Sequence, residues 1–108
     1  MEKEQLTVSY EVAGKQLTYF MPRELDHHVA QGLCKELDML VGAYRIKELV
    51  LDFAQTEFMD SSGIGVIIGR SKTMRFYGGE LLAKNLTKRV KTIFVSAGLE
   101  KIVKVREE

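Results

Sequence analysis

Glu48-Leu49-Val50-Leu51-Asp52-Phe53 decides how this chain folds. The segment is too short and too β-branched for an independent helix, and its almost unbroken apolar character suits a central strand covered on both faces. Such a strand needs partners on its edges and helices over it, and the flanking sequence supplies both. Upstream, Leu6 to Val12 alternates loosely through Leu6, Val8, Tyr10 and Val12. Ala13-Gly14-Lys15 then turns the chain into Leu17-Thr18-Tyr19-Phe20, which reads as a hairpin. Pro22 cannot donate to a ladder, so Met21 to Leu25 is expected to leave the sheet. Asp26 follows as a helix N-cap. Val29, Leu33, Leu37, Leu40 and Val41 then recur at helical steps and predict a first helix that ends near Gly42.

Downstream of the core strand, Ala54 to Asp60 reads as a loop. Ser61 to Phe76 reads as a second helix carrying Ile64, Ile67, Ile68, Met74 and Phe76, and it closes at Gly78-Gly79. Glu80-Leu81-Leu82-Ala83 is a short strand, and Thr87 caps a third helix with Val90, Ile93, Phe94 and Ala97 inward. Gly98 stops that helix before a last strand, Ile102-Val103-Lys104-Val105. The predicted order is β-β-α-β-α-β-α-β. Alternating βα units imply an α/β fold with a mixed, mostly parallel sheet of about five strands, the hairpin adding an antiparallel pair. Residues 1–108 read as a single domain, without repeat, linker or low-complexity tract.

The 16 basic and 15 acidic residues give a formal net charge of +1. No surplus of positive charge is left to track a phosphate backbone, which argues against nucleic acid as a partner. No apolar run approaches the roughly 20 residues of a bilayer span, and Met1-Glu2-Lys3-Glu4-Gln5 lacks the apolar core of a signal peptide. The expectation is a cytoplasmic protein with no membrane partner. Cys34, the only cysteine, suits a reducing compartment, and its neighbours Leu33 and Leu37 point to plain burial.

Chemistry concentrates in Phe58-Met59-Asp60-Ser61-Ser62-Gly63-Ile64-Gly65, which joins the core strand to the second helix. In open α/β sheets, ligands and partners are met at the carboxyl ends of parallel strands. A short polar side chain is also what a helix start needs, to accept from the free N–H groups of its first turn. One residue suffices for that, and Asp60, Ser61 and Ser62 offer three. A serine here could instead take a phosphate, which exposed N–H groups and the helix dipole would stabilise. Such a phosphate adds about −1.5 to −2 charges, enough to repel a partner fitted to the unmodified loop.

Other chemistries fit less well. A serine hydrolase wants Gly-x-Ser-x-Gly and an oriented histidine, and an aspartic protease wants Asp directly before Ser-Gly, where Ser61 intervenes. Gly63-x-Gly65-x-x-x-Gly69 lacks the spacing of a phosphate-cradling loop. Gly65 and Gly69, a turn apart, either permit close packing or leave a smooth patch for a partner. His27-His28 point in different directions on a helix and have no Cys/His cluster to support a metal. Asp26 is an N-cap that could also position a hydroxyl of the Ser61 loop, and Arg70 and Arg75 are either a solvated face or partner contacts. A small enzyme or nucleotide-binding domain built on the Asp60/Ser61 loop is the alternative to a binding module. No cofactor is implied.

These residues resemble the STAS-domain anti-sigma factor antagonists, most closely those of sporulation in endospore-forming bacteria. The resemblance rests on Glu24-Leu25-Asp26-His27-His28, Val50-Leu51-Asp52-Phe53, Phe58 through Arg70, Gly78-Gly79-Glu80 and Ser96-Ala97-Gly98-Leu99. It implies a partner-switching regulator of transcription and not an enzyme. The unphosphorylated antagonist binds an anti-sigma factor that is also a serine kinase, the sigma factor is freed, and the kinase then phosphorylates the antagonist. A serine phosphatase resets the cycle, and ATP and magnesium belong to the kinase. By position the resemblance makes Ser61 the phosphorylation site, with Asp26, Asp60, Ser62, Gly63, Gly65 and Arg70 in the partner-binding region. The family commonly has glycine just before Glu-Leu-Asp, where this chain has Pro22-Arg23, so Arg23 adds a positive charge near the proposed phosphate.

Overall fold

A computed structural model describes residues 8–106. The chain runs β1 (Tyr10–Ala13), β2 (Gln16–Phe20), β3 (Glu24–Leu25), α1 (His27–Ala43), β4 (Glu48–Asp52), β5 (Phe58–Met59), α2 (Ser61–Phe76), β6 (Glu80–Lys84), α3 (Lys88–Ala97) and β7 (Lys104–Arg106). A 3-10 turn, Leu99–Lys101, joins α3 to β7. The main sheet has five strands in the order β1-β2-β4-β6-β7. β1 and β2 are antiparallel and every other neighbouring pair is parallel. This is the mixed, mostly parallel sheet expected, with the Glu48–Asp52 strand at its centre. The part of the first strand expected at Leu6 and Thr7 lies outside the described residues.

β4 owes its position to its side chains. Leu49, Val50 and Leu51 are wholly buried and Asp52 nearly so, the pattern of a strand covered on both faces. Leu49 and Leu51 join the main core with Leu33, Leu37, Leu40 and Val41 of α1 and Val66, Ile67 and Met74 of α2. Val50 and Leu82, at alternate positions of adjacent strands, are buried apart from that cluster. Phe53 meets Phe94 of α3 edge to face at 5.6 Å, a geometry worth about 0.5–1.5 kcal/mol beyond the area it buries. Cys34 is partly buried and packs on the same core.

Several details differ from the sequence reading. Val29 is 39 % exposed because it lies in the first turn of α1, and Ala97, at the last turn of α3, is exposed. Ile68 and Phe76 face outward on α2. α1 ends at Ala43, near Gly42 as expected, but the left-handed residue beyond its end is Arg45, with φ 52°, and not a glycine. The last strand starts only at Lys104, because Ile102 and Val103 still donate their N–H groups to the Leu99 carbonyl. Finally, Glu24–Leu25 and Phe58–Met59, read as loop, form a separate two-stranded parallel ladder. Two residues are too few to show a period.

Candidate functional site

The small ladder builds the site. Glu24 pairs with Phe58 and Leu25 with Met59, so the next residue on each strand, Asp26 and Asp60, arrives at the same level. The Asp60 N–H donates to the Leu25 carbonyl at 3.3 Å. Each carboxylate then caps its own helix. Asp26 Oδ1 accepts from the N–H groups of His28 at 2.9 Å and Val29 at 3.3 Å. Asp60 Oδ1 accepts from the Ser62 N–H at 2.8 Å. α1 and α2 therefore begin side by side, and the positive ends of their dipoles lie together.

The three candidates for the α2 cap are thus resolved in favour of Asp60. Ser61, the first residue of α2, is exposed, Ser62 is half-buried and Gly63 is buried. Gly63 is where the first turn of α2 needs glycine. A Cβ there would collide with Met59 Cγ and come within 2.9 Å of Met59 Sδ and 3.0 Å of Leu25 Cγ. At Gly65 and Gly69 an added Cβ would meet nothing within 4 Å, so close packing does not explain them. Ser61, Gly65, Ile68, Lys72 and Phe76 form an exposed row along α2, with the Ile68 and Phe76 side chains as its apolar members.

Arg70 does not lie on a solvated face. It is 9 % exposed, and its Nε stands 3.0 Å from Asp38 Oδ1 on α1, tying the two helices together. The contact is an ion pair outside hydrogen-bond geometry, and among the described residues neither the buried Nε nor the buried Nη1 has a hydrogen-bond partner. The sequence holds no sign of Asp38, which lies 32 residues from its partner and so lacks the i, i+4 spacing that marks local pairs. Arg75 is exposed, with Nη2 3.5 Å from Ser71 Oγ. Asp26 Oδ2 lies 3.9 Å from His28 Nδ1, and among the described residues the Ser61 hydroxyl is not one of its hydrogen-bond partners. His27 and His28 sit exposed with ring centroids 4.1 Å apart. Among the described residues no group of three His, Cys, Asp or Glu side chains is placed to hold a metal ion.

The Pro22-Arg23 segment is built into the ladder's start. Thr56 Oγ1 donates to the Pro22 carbonyl at 2.9 Å, and the Arg23 carbonyl accepts from the N–H groups of Glu57 at 2.8 Å and Phe58 at 3.1 Å. The Arg23 side chain reaches Glu57 at 3.4 Å, an exposed pair of small energetic weight.

A family model for the STAS domain matches residues 7–108. The anti-sigma F factor antagonist of Paenibacillus polymyxa is 34% identical over 82 residues, covering 76% of this chain and 70% of that protein. The anti-sigma-B factor antagonist of Listeria monocytogenes is 30% identical over 90 residues, covering 81% of this chain and 75% of that protein. Among solved structures, the anti-sigma factor antagonist SpoIIAA in its unphosphorylated form superimposes with a TM-score of 0.81 at 23% identity, over 92% of this chain and 85% of that one. The Bacillus SpoIIAA in its phosphorylated form gives 0.74 at 22%, over 92% and 88%. These two matches speak for the fold alone. The chain belongs to the STAS domain family, and within it to the anti-sigma factor antagonists.

Proposed function

We propose that this protein is a phosphorylation-controlled partner switch. The unphosphorylated chain binds an anti-sigma factor that is also a serine kinase and so releases the sigma factor. Phosphorylation of Ser61 turns binding off, and a serine phosphatase restores it. The chain is substrate and regulator in this cycle, and the kinase brings ATP and magnesium.

The observation that carries the reading is the division of labour between Asp60 and Ser61. Asp60 makes the cap, so the exposed Ser61 hydroxyl is not needed to start α2. A phosphate at that position sits at the meeting point of two helix N-termini, where negative charge is favoured. The fold tolerates it and the partner does not. Asp26 and Asp60 serve by holding the two loops level, and Gly63 by letting α2 seat against the ladder. Ser62 and Gly65 belong to the docking surface with Ser61, and the exposed row continuing through Ile68 extends it. Arg70 shapes that surface from beneath through Asp38.

The test incubates the protein with ATP, magnesium and the anti-sigma kinases of its own genome, and maps the modified residue by mass spectrometry. Phosphate is expected on Ser61 and absent from Ser61→Ala. Ser61→Asp should weaken kinase binding while its thermal midpoint moves by less than about 2 °C, as befits a surface change. Modification elsewhere, or full binding by Ser61→Asp, would overturn the reading.

A further inference from the structure

α1 and α2 start together and so also finish together, about 24 Å from Ser61 along the 16 residues of α2. Between their ends and the β1–β2 turn lies an open cavity of about 410 Å³, within the size range of small-molecule sites. Its charged wall is Lys15, Arg45 and Lys47, and its apolar part is Val41 and Ile46, with Tyr77 alongside. Among the described residues no carboxylate lines it, and none forms an ion pair with these three cations. Lys47 is fixed in place, its Nζ donating to the Tyr77 carbonyl at 2.8 Å.

Arg45 is the informative residue. α1 and α2 close in the same way: the Ile46 N–H donates to the Val41 carbonyl at 2.9 Å, and the Gly79 N–H to the Met74 carbonyl at 2.8 Å. Before that donor, α2 has Gly78 at φ 74°, whereas α1 has Arg45 at φ 52°. The left-handed conformation favours glycine, and a long L side chain there is strained. The other non-glycine residue found there among the described residues is Asn85, a type that tolerates it. The closure of α1 is made by backbone groups alone, so the helix end does not require the guanidinium. Strain retained in a cationic cavity marks a site more readily than charge alone, since exposed lysines are ordinary.

We propose that this cavity binds a small organic phosphate. Lys15, Arg45 and Lys47 hold the phosphate group, the arginine fork matching its oxygens, and an apolar or aromatic body lies against Val41, Ile46 and Tyr77. The site is at the opposite end of α1 and α2 from the Ser61 loop, so its occupant need not compete with a protein docked there.

The test titrates the full chain with phenyl phosphate and follows amide shifts in nitrogen–proton correlation spectra. Saturable shifts are expected at Gly42, Arg45, Lys47 and Gly78, with Ser61 and Gly63 unmoved. Arg45→Gly should weaken binding roughly tenfold or more, the worth of one charge-assisted contact. Its thermal midpoint should hold or rise, because the strain is removed. Lys15→Gln, which keeps the Lys15 carbonyl that accepts from the N–H groups of Lys47 and Glu48, should weaken binding without altering the fold. The proposal fails if millimolar phenyl phosphate produces no saturable shift, if uncharged benzyl alcohol produces the same shifts, or if both variants bind like the parent. Sedimentation with phosphatidylglycerol vesicles in the absence of phenyl phosphate shifts would assign these cations to a lipid surface and overturn it as well.

Discussion

Asp26 and Asp60 stand at equivalent positions, each one residue beyond the last pair of a parallel ladder, Leu25 with Met59, and each capping the helix that follows. Two helices that begin from one ladder cannot shift independently, so the surface around Ser61 is held from both sides. Asp26→Ala and Asp60→Ala should each lower stability by about 1 kcal/mol in urea titrations, and the asparagine variants by less, since asparagine also caps. Because the caps share the ladder, the double alanine variant should depart from additivity.

Gly63 and Gly65 should respond in opposite senses to the same change. Alanine at Gly63 must displace Met59 and Leu25, and overpacking of about 1–3 kcal/mol outweighs the helical gain. Alanine at Gly65 enters open space, so stability should rise by up to about 1 kcal/mol, while on the proposed function binding to the anti-sigma partner falls. Denaturation and pull-down measurements on the two variants check both statements.

The Asp38–Arg70 pair is an ion contact at 3.0 Å in which, among the described residues, neither the buried Nε nor the buried Nη1 makes a hydrogen bond. Removing the carboxylate strands that cation, whereas removing the cation relieves the burial. Asp38→Asn should therefore cost more than Arg70→Met, by about 1 kcal/mol or more in urea unfolding.

Tyr19 donates its hydroxyl to Glu36 Oε1 at 2.9 Å, and burial first, then this bond to a carboxylate, pushes its pKa up to about 12. The folded state thus holds its proton longer than the unfolded chain, whose tyrosines titrate near ~10. The associated stability is intact below pH ~10 and is lost as pH rises toward about 12. In Tyr19→Phe that alkaline decline should be shallower than in the parent, as read by thermal melts at stepped pH.

Much of the fold was legible in the chain because its signals are local. The apolar run Leu49-Val50-Leu51 requires cover on two faces, Thr87 caps α3 as read, and Gly98 adopts the left-handed conformation that ends it. The hydroxyl-rich segment after Asp60 marked the candidate site, and resemblance to a family pointed to Ser61 as the residue to test within it. Pairings of distant residues were legible only in outline. The parallel order places the Asp26 loop beside the Ser61 loop, but nothing in the sequence shows that Asp26 and Asp60 follow paired strands at one level, nor does Asp38 announce Arg70.

The sequence by itself determined the strands of the main sheet, the three helices and the family to which they belong, because periodicity, caps and glycine stops act over a few residues, whereas the two-residue strands β3 and β5 left no such signal. Only the tertiary structure decided that Asp60 and not Ser61 caps α2, that Gly63 is demanded by packing while Gly65 is not, and that Arg70 is buried. Each of these depends on what a side chain meets once β3 and β5 have paired, and that contact exists only after distant parts of the chain have come together.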